Sequence, residues 1–156
     1  MMDELRIELY QPSFQEDFVR LNSEWIKTFF HLESSDRAVF NDPKGYILNK
    51  GGQIFFAVNE HGKAVGCCAL IAHSRQEKYE LAKMAVTPRY QGKGAGSLLG
   101  EAVLAYARSN GYKKLFLEGN TKMKASIGLY RRLGFKEVSK CGASYSRCNI
   151  MMELNL

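Results

Sequence analysis

The sequence predicts an α/β (α+β) fold in a single domain over residues 1–156, with a mixed central β-sheet of six to seven strands flanked by about four helices. Three observations carry this expectation. The chain has 156 residues, the size of one ordinary domain, and a hydrophobic fraction of 46%, enough for one core. Strand-like segments are interspersed with segments whose apolar residues recur at three- and four-residue steps, a mixture that packs as a sheet covered by helices. No internal repeat, low-complexity tract or linker interrupts that order.

Taken in order, residues 5–10 alternate apolar and polar side chains and read as a first strand. Pro12 and Ser13 open a helical segment through about residue 30, with Phe14, Phe18, Leu21, Trp25 and Phe29 on one stripe. Asn41-Asp42-Pro43 starts a short second helix to residue 48, closed by Gly51-Gly52. Residues 53–59 and 64–72 are apolar strands joined by the turn Glu60-His61-Gly62, and so form a hairpin. Residues 78–86 make a further strand, ended by Thr87-Pro88. A glycine-rich loop then leads into a helix over about residues 94–110, with Leu98, Leu99, Ala102, Val103 and Tyr106 as its apolar stripe and Asn110-Gly111 as its stop. Residues 114–118 are strand, and residues 122–133 are helix with Met123, Ile127 and Tyr130 at helical spacing, ended by Gly134. Residues 135–138 and 147–154 supply the last strands.

Composition narrows the function classes. No stretch approaches the ~20 apolar residues of a membrane-spanning helix. The start, Met1-Met2-Asp3-Glu4, is acidic and lacks a secretion signal, so a cytoplasmic location with no membrane partner is expected. Cys67, Cys68, Cys141 and Cys148 form no C-x-x-C pair and read as reduced thiols, small buried apolar residues more than reactive ones. His31, His61 and His73 are too dispersed for a metal motif. The net charge of +6 comes from spread residues and small clusters, Arg89/Lys93, Lys113/Lys114, Lys122/Lys124 and Arg131/Arg132. Solvated helix faces or a phosphorylated small ligand account for these, and no recognised nucleic-acid motif is present.

The most informative segment is Val86-Thr87-Pro88-Arg89-Tyr90-Gln91-Gly92-Lys93-Gly94-Ala95-Gly96-Ser97, between a strand and a helix. Glycines let a backbone turn tightly and approach a ligand, and a helix start offers unpaired N–H groups and a positive dipole end to a phosphate. A P-loop fails, because no Lys-Ser or Lys-Thr follows the final glycine. A dinucleotide fingerprint fails too: counted from Gly92 its third glycine falls on Ser97, and from Gly94 on Leu99. The pattern Q/R-x-x-G-x-G/A is met by Gln91, Gly94 and Gly96, against the bland alternative of a flexible turn that binds nothing.

With its flanks, the loop resembles the coenzyme A pyrophosphate motif of the GNAT superfamily of N-acetyltransferases. Upstream, Glu80-Leu81-Ala82-Lys83-Met84-Ala85-Val86 looks like the family's central strand, and downstream Leu129-Tyr130-Arg131-Arg132-Leu133-Gly134-Phe135 resembles its second signature, L-Y-x-x-x-G-F. The close match covers about residues 80–138, and the element order is compatible with a GNAT-like fold throughout. The resemblance implies an enzyme that moves an acetyl group from acetyl-CoA to a primary amine of a small molecule, peptide or protein by direct attack. It also implies that backbone N–H groups of Gln91, Gly92, Lys93, Gly94, Ala95, Gly96 and Ser97 cradle the pyrophosphate. The strand at Met84, Ala85 and Val86 would hydrogen-bond the pantetheine arm, and one of its amides would polarise the thioester carbonyl. Many members carry Asn seven residues before the tyrosine of the second signature; here Met123 stands there, and Asn120 is the nearest substitute, with a plain loop or N-cap role beside it.

Acyl transfer to an amine needs a neutral nucleophile, donors for the developing oxyanion and a proton for the leaving thiolate. Glu80 is the candidate base. Strand alternation places it with Ala82, Met84 and Val86 up to any bulge, and apolar neighbours would raise its pKa. A salt-bridged or substrate-orienting carboxylate is the alternative. Tyr130 is the candidate acid, because the matching family tyrosine lies near the CoA sulfur; the alternative is a core aromatic. In the fold that the resemblance implies, the tail region often borders the acceptor site or a dimer partner; Tyr145 and Arg147 could do either and are given no site role, and family habit leaves a homodimer open. A noncatalytic acyl-CoA sensor or interaction module is the competing function, and the amine acceptor is unassigned.

Overall fold

A computed structural model describes residues 4–73, 78–138 and 148–156. Seven strands form one sheet: β1 (Arg6–Leu9), β2 (Gln53–Val58), β3 (Ala64–His73), β4 (Lys78–Val86), β5 (Lys114–Gly119), β6 (Lys136–Val138) and β7 (Ile150–Asn155). Their order is β1-β2-β3-β4-β5-β7-β6, antiparallel everywhere except between β4 and β5. Five helices cover it: α1 (Gln15–Phe29), α2 (Ser34–Asn41), α3 (Pro43–Tyr46), α4 (Ala95–Ser109) and α5 (Lys124–Leu133). The mixed sheet and flanking helices are those expected from the sequence.

Three local differences have physical causes. The first helix begins at Gln15 because Pro12–Phe14 is a separate 3-10 turn with proline in its first turn. The segment expected as one helix from residue 43 to 48 divides into α3 and a 3-10 turn over Leu48–Lys50. Helix α2 was not expected. Its apolar residues run consecutively as Ala38-Val39-Phe40 with no second repeat, and its N-terminus is stabilised by a capping box of two acids, Glu33 and Asp36.

The sheet separates two apolar clusters. Leu99, Val103, Leu104 and Ala107 of α4, with Leu129 and Tyr130 of α5, bury Phe55, Leu70, Leu81, Leu115 and Leu117 on one face. Phe18, Leu21 and Ile26 of α1, with Phe40 of α2, bury Ile54, Phe56, Val58, Cys67 and Ala69 on the other. Phe18, Phe56, Leu81, Leu99 and Met152 are among the largest fully buried side chains, and each such side chain stabilises the fold by roughly 1.5–3 kcal/mol relative to exposure.

One irregularity positions the site. The β3–β4 register shifts between Cys67 and Ala69, which pair with Ala85 and Ala82, so β4 carries an extra residue there. Lys83 takes the strain at φ 54°, among the described residues the non-glycine position with positive φ. The Cys67 thiol donates to the Lys83 carbonyl at 3.4 Å and accepts from Asn22 Nδ2 at 3.3 Å, so the bulged backbone is tied to α1. Cys67 and Cys68 are buried free thiols, as expected, and burial pushes Cys67 up to about 12 and Cys68 well above its ordinary value. Cys148 corrects the expectation of four reduced thiols, for it is disulfide-bonded. Residues 139–147, with Cys141, Tyr145, Arg147 and the start of the last expected strand, lie outside the described residues.

Candidate active site

Strands β4 and β5 pair only at Tyr79–Leu115 and Glu80–Phe116. Beyond that point β5 stays paired with β7 as far as Gly119, and β4 stays paired with β3 as far as Val86, so the two strands part and leave a notch. A cavity of about 760 Å³ fills it, within the range of small-molecule sites. Residues 80–86 of β4 form one wall, residues 118–120 and α5 the opposite one, and Trp25, Phe29 and Phe30 from the end of α1 close one side. Backbone edges that a sheet would otherwise pair are thereby presented to a ligand.

At the far end of β4 the chain turns through a 3-10 turn, Pro88–Tyr90, into the glycine loop. Gly92 at φ 76° and Gly94 at φ 88° adopt the left-handed conformation that favours glycine, and a Cβ on either would meet nothing within 4 Å. Gly94 is the N-cap of α4 and supplies no side-chain cap, so the first-turn N–H groups of Ala95, Gly96 and Ser97 have no intrahelical partner. Open space, donors without an intrahelical partner and a helix dipole at one point fit a pyrophosphate. The loop is held from behind. Gln91 Nε2 donates to the Val86 carbonyl at 3.0 Å, and the buried Tyr90 hydroxyl accepts from Asn59 Nδ2 at 3.2 Å. Asn59 in turn organises the β2–β3 turn, accepting from the N–H groups of His61 and Lys63.

The expected site residues come together unevenly. Met84, Ala85, Val86, Gln91, Gly92, Gly94, Gly96, Ser97 and Asn120 line the cavity, as do Glu80 and Tyr130. Ala95 is buried in the core and the Lys93 amine lies 5.5 Å from the Tyr90 ring centre; neither is a lining residue. Asn120 accepts from the Lys122 N–H through Oδ1 at 2.9 Å, so its side chain caps the turn into α5 while facing the cleft. Tyr130 is buried on α5 beside Phe135, and desolvation, with Cys68 nearby, pushes its hydroxyl well up, which keeps it protonated at neutral pH.

Glu80 differs from expectation in its surroundings. Its side chain is 8% exposed, but its Oε1 lies 2.8 Å from His73 Nε2, so its neighbours are not all apolar. The bulge also breaks the alternation. Met84 and Val86 pack with Leu81 against α4 and α5, whereas Ala85 belongs to the α1/α2 cluster. Glu80, opposite Ile71, therefore shares its face with Lys83 and Ala85 rather than with Met84 and Val86.

The sequence reading missed three charged or titratable groups here. Lys83 Nζ is 2.9 Å from Asp36 Oδ1 with 3% and 0% of the side chains exposed, and the amine also lies 5.4 Å from the Phe40 ring centre. Asp36 Oδ2 accepts the Glu33 N–H at 2.9 Å, so one carboxylate caps α2 and neutralises β4. A lone lysine inside Leu81-Ala82-Lys83-Met84-Ala85-Val86 was the available signal. His73 was legible only through hairpin register, which sets it two residues beyond Ile71, the partner of Glu80.

Comparison with known proteins agrees with this geometry. The model of the acetyltransferase (GNAT) family matches residues 4–135. An N-acetylaspartate synthetase of Xenopus tropicalis is 37% identical over 109 residues, 69% of this chain and 40% of that protein. The chain thus spans well under half the length of the curated relatives it matches first, 36% for the rat protein of the same name. A GNAT-family acetyltransferase from Staphylococcus aureus Mu50 superposes with a TM-score of 0.88 at 21% identity, covering 97% of this chain and 99% of that one. A phosphinothricin acetyltransferase of Sinorhizobium meliloti, solved with acetyl-CoA, superposes with a TM-score of 0.76 at 18% identity, covering 100% of this chain and 89% of that one. No helix among the described residues is long and apolar enough to cross a membrane, and they contain no group of His, Cys, Asp and Glu that could hold a metal ion.

Proposed function

Because the chain belongs to the GNAT acetyltransferase family, we propose that it transfers the acetyl group of acetyl-CoA to a primary amine of a small molecule or peptide by direct attack. The observation that carries this reading is the notch between β4 and β5, which runs into the uncapped start of α4. A phosphate end and an extended, hydrogen-bonding arm are both accommodated along one continuous cavity. Acetyl-CoA supplies an activated acyl carbonyl and a thiol leaving group. The first-turn amides of α4 and the loop from Gln91 to Ser97 hold the pyrophosphate. The free edge of β4 at Met84, Ala85 and Val86 orients the arm, and an amide there stabilises the oxygen as charge develops on it.

Glu80 takes the proton from the attacking amine. Its position at the last β4–β5 pair puts it where the notch opens. Tyr130, on the opposite wall and protonated at neutral pH, gives a proton to the departing sulfur. The acceptor enters beside Trp25, Phe29 and Phe30. The relatives named for N-acetylaspartate put amino acids, aspartate first, into the acceptor panel together with polyamines, aminoglycosides and peptides.

Thiol release from acetyl-CoA with that panel, followed by mass spectrometry of the products, tests the reading. An acetylated amine formed at a rate far above the uncatalysed one is expected. Tight acetyl-CoA binding with no acetylated product would instead identify a noncatalytic binding module. Glu80→Gln should abolish or displace the acidic limb of the pH–rate profile, and an unchanged limb would remove the base role.

A further inference from the structure

We propose that His73 is the proton-transfer partner of Glu80, fixing its carboxylate through Oε1 and carrying its proton out to solvent; the proposal rests on the acyl-transfer reading above. The chemistry requires such a path. An acceptor that arrives as an ammonium ion loses two protons on becoming an amide N–H. The thiol S–H accounts for one, and the other must reach bulk water in every turnover. A base whose side chain is 8% exposed needs a route for it.

The structure supplies one. Glu80 lines both the main cleft and a separate small cavity of about 170 Å³, whose other walls are Val39, Tyr46, Lys50, Ile71, Ala72 and His73. Among the described residues, His73 is the side chain within hydrogen-bond distance of Glu80, and it is 43% exposed where Glu80 is buried. The steps involve only O–H and N–H bonds. The carboxylate accepts the amine proton, the carboxyl gives a proton through Oε1 to Nε2 of the neutral imidazole, and the imidazolium releases its Nδ1 proton to water. The carboxylate is then restored and the imidazole stands as its Nε2–H tautomer, donating to Oε1; water takes the Nε2 proton and returns one to Nδ1, which resets the ring for the next turnover.

The surroundings suit a histidine poised to exchange protons. Lys78 faces it directly across β4, and its ring lies 5.5 Å from Phe116 of β5. Lys50, from the 3-10 turn after α3, opposes its charging, whereas Glu118 of β5 and Glu80 itself favour it; Tyr46 of α3 is the remaining titratable wall residue. Asp36 of α2 and Lys83 of β4, on the same face, balance each other in charge. The Glu80 hydrogen bond is the largest influence and raises the imidazole above its ordinary 6.5.

Two measurements test this. In the first, pH–rate profiles of His73→Gln and His73→Ala are compared with the parent protein. The glutamine amide can still donate to Oε1 but cannot relay a proton, so kcat should fall about tenfold with the KM for acetyl-CoA unchanged. Added imidazole should partly restore His73→Ala and leave His73→Gln unrestored. A glutamine variant that turns over like the parent across the profile overturns the relay while leaving acyl transfer intact. In the second, the His73 imidazole is titrated by NMR with and without Glu80→Gln. A value above 6.5 that falls in the variant is expected. An unmoved titration overturns the pairing, and this readout needs no turnover, so it is decided separately from the acyl-transfer reading.

Discussion

The two sides of the cleft are built by different means. On the α4 side the polar groups left without intrahelical partners are backbone amides, set by two left-handed glycines and an uncapped helix start within a few residues of each other. On the α1/α2 side they are side chains paired from far apart, as with Lys83, which lines the cleft, and the buried Asp36, 47 residues away in sequence, or from neighbouring strands, as with Glu80, which lines the cleft, and His73 behind it. A backbone site tolerates side-chain change and fails when the chain conformation changes. A side-chain site fails when one member is removed, because the partner is left buried and unpaired.

The largest expected effect lies on the side-chain wall. Asp36→Ala strips the buried Lys83 ammonium of its counter-ion and removes the acid that caps Glu33, and should destabilise the protein by about 3–5 kcal/mol in urea unfolding. The double change Asp36→Leu with Lys83→Met should recover most of that, because the buried charge deprived of its carboxylate is gone; equal losses in the single and double variants would break the contrast between the two sides of the cleft. Tyr130→Phe should lower kcat about 100-fold, with acetyl-CoA affinity and thermal stability near the parent's. Unchanged turnover would remove the acid role.

On the backbone wall, Gly94→Val forces a β-branched residue to φ 88°, at a strain of about 1–2 kcal/mol, and should weaken acetyl-CoA binding about tenfold by calorimetry. Gln91→Ala removes only an exposed brace to the Val86 carbonyl and should change that affinity by less than about 1 kcal/mol. If Gln91→Ala proved the worse of the two, the loop would be reading its ligand through side chains. The smallest effect concerns pH. Because Glu80 raises the His73 pKa, the pair adds stability that is fully present below the unfolded value of 6.5 and is lost as pH rises through the folded value. The melting temperatures of the parent and Glu80→Gln should therefore differ most in mildly acidic solution and converge as pH rises.

The same contrast explains what could be read in advance. The strand ending at Val86, the glycine spacing from Gln91 to Ser97 and the Tyr130-to-Phe135 signature are local, so sequence neighbours carry the information. The missed helix α2 carries Asp36, whose role depends on a lysine in another element. The face assignment of Glu80 failed for a related reason. Period-two alternation holds only along an unbroken strand, and the extra residue at Lys83 reversed the parity of everything beyond it.

The sequence by itself determined the order of the strands, the two C-terminal helices, the glycine loop between β4 and α4 and the family, because each rests on propensities and spacings within a few residues. Tertiary structure alone decided three things: where β4 and β5 part, which face Glu80 shares, and that His73 rather than apolar side chains meets its carboxylate. These depend on strand pairing and on contacts between segments distant in sequence, whose geometry is settled only when the sheet and its two cores close together.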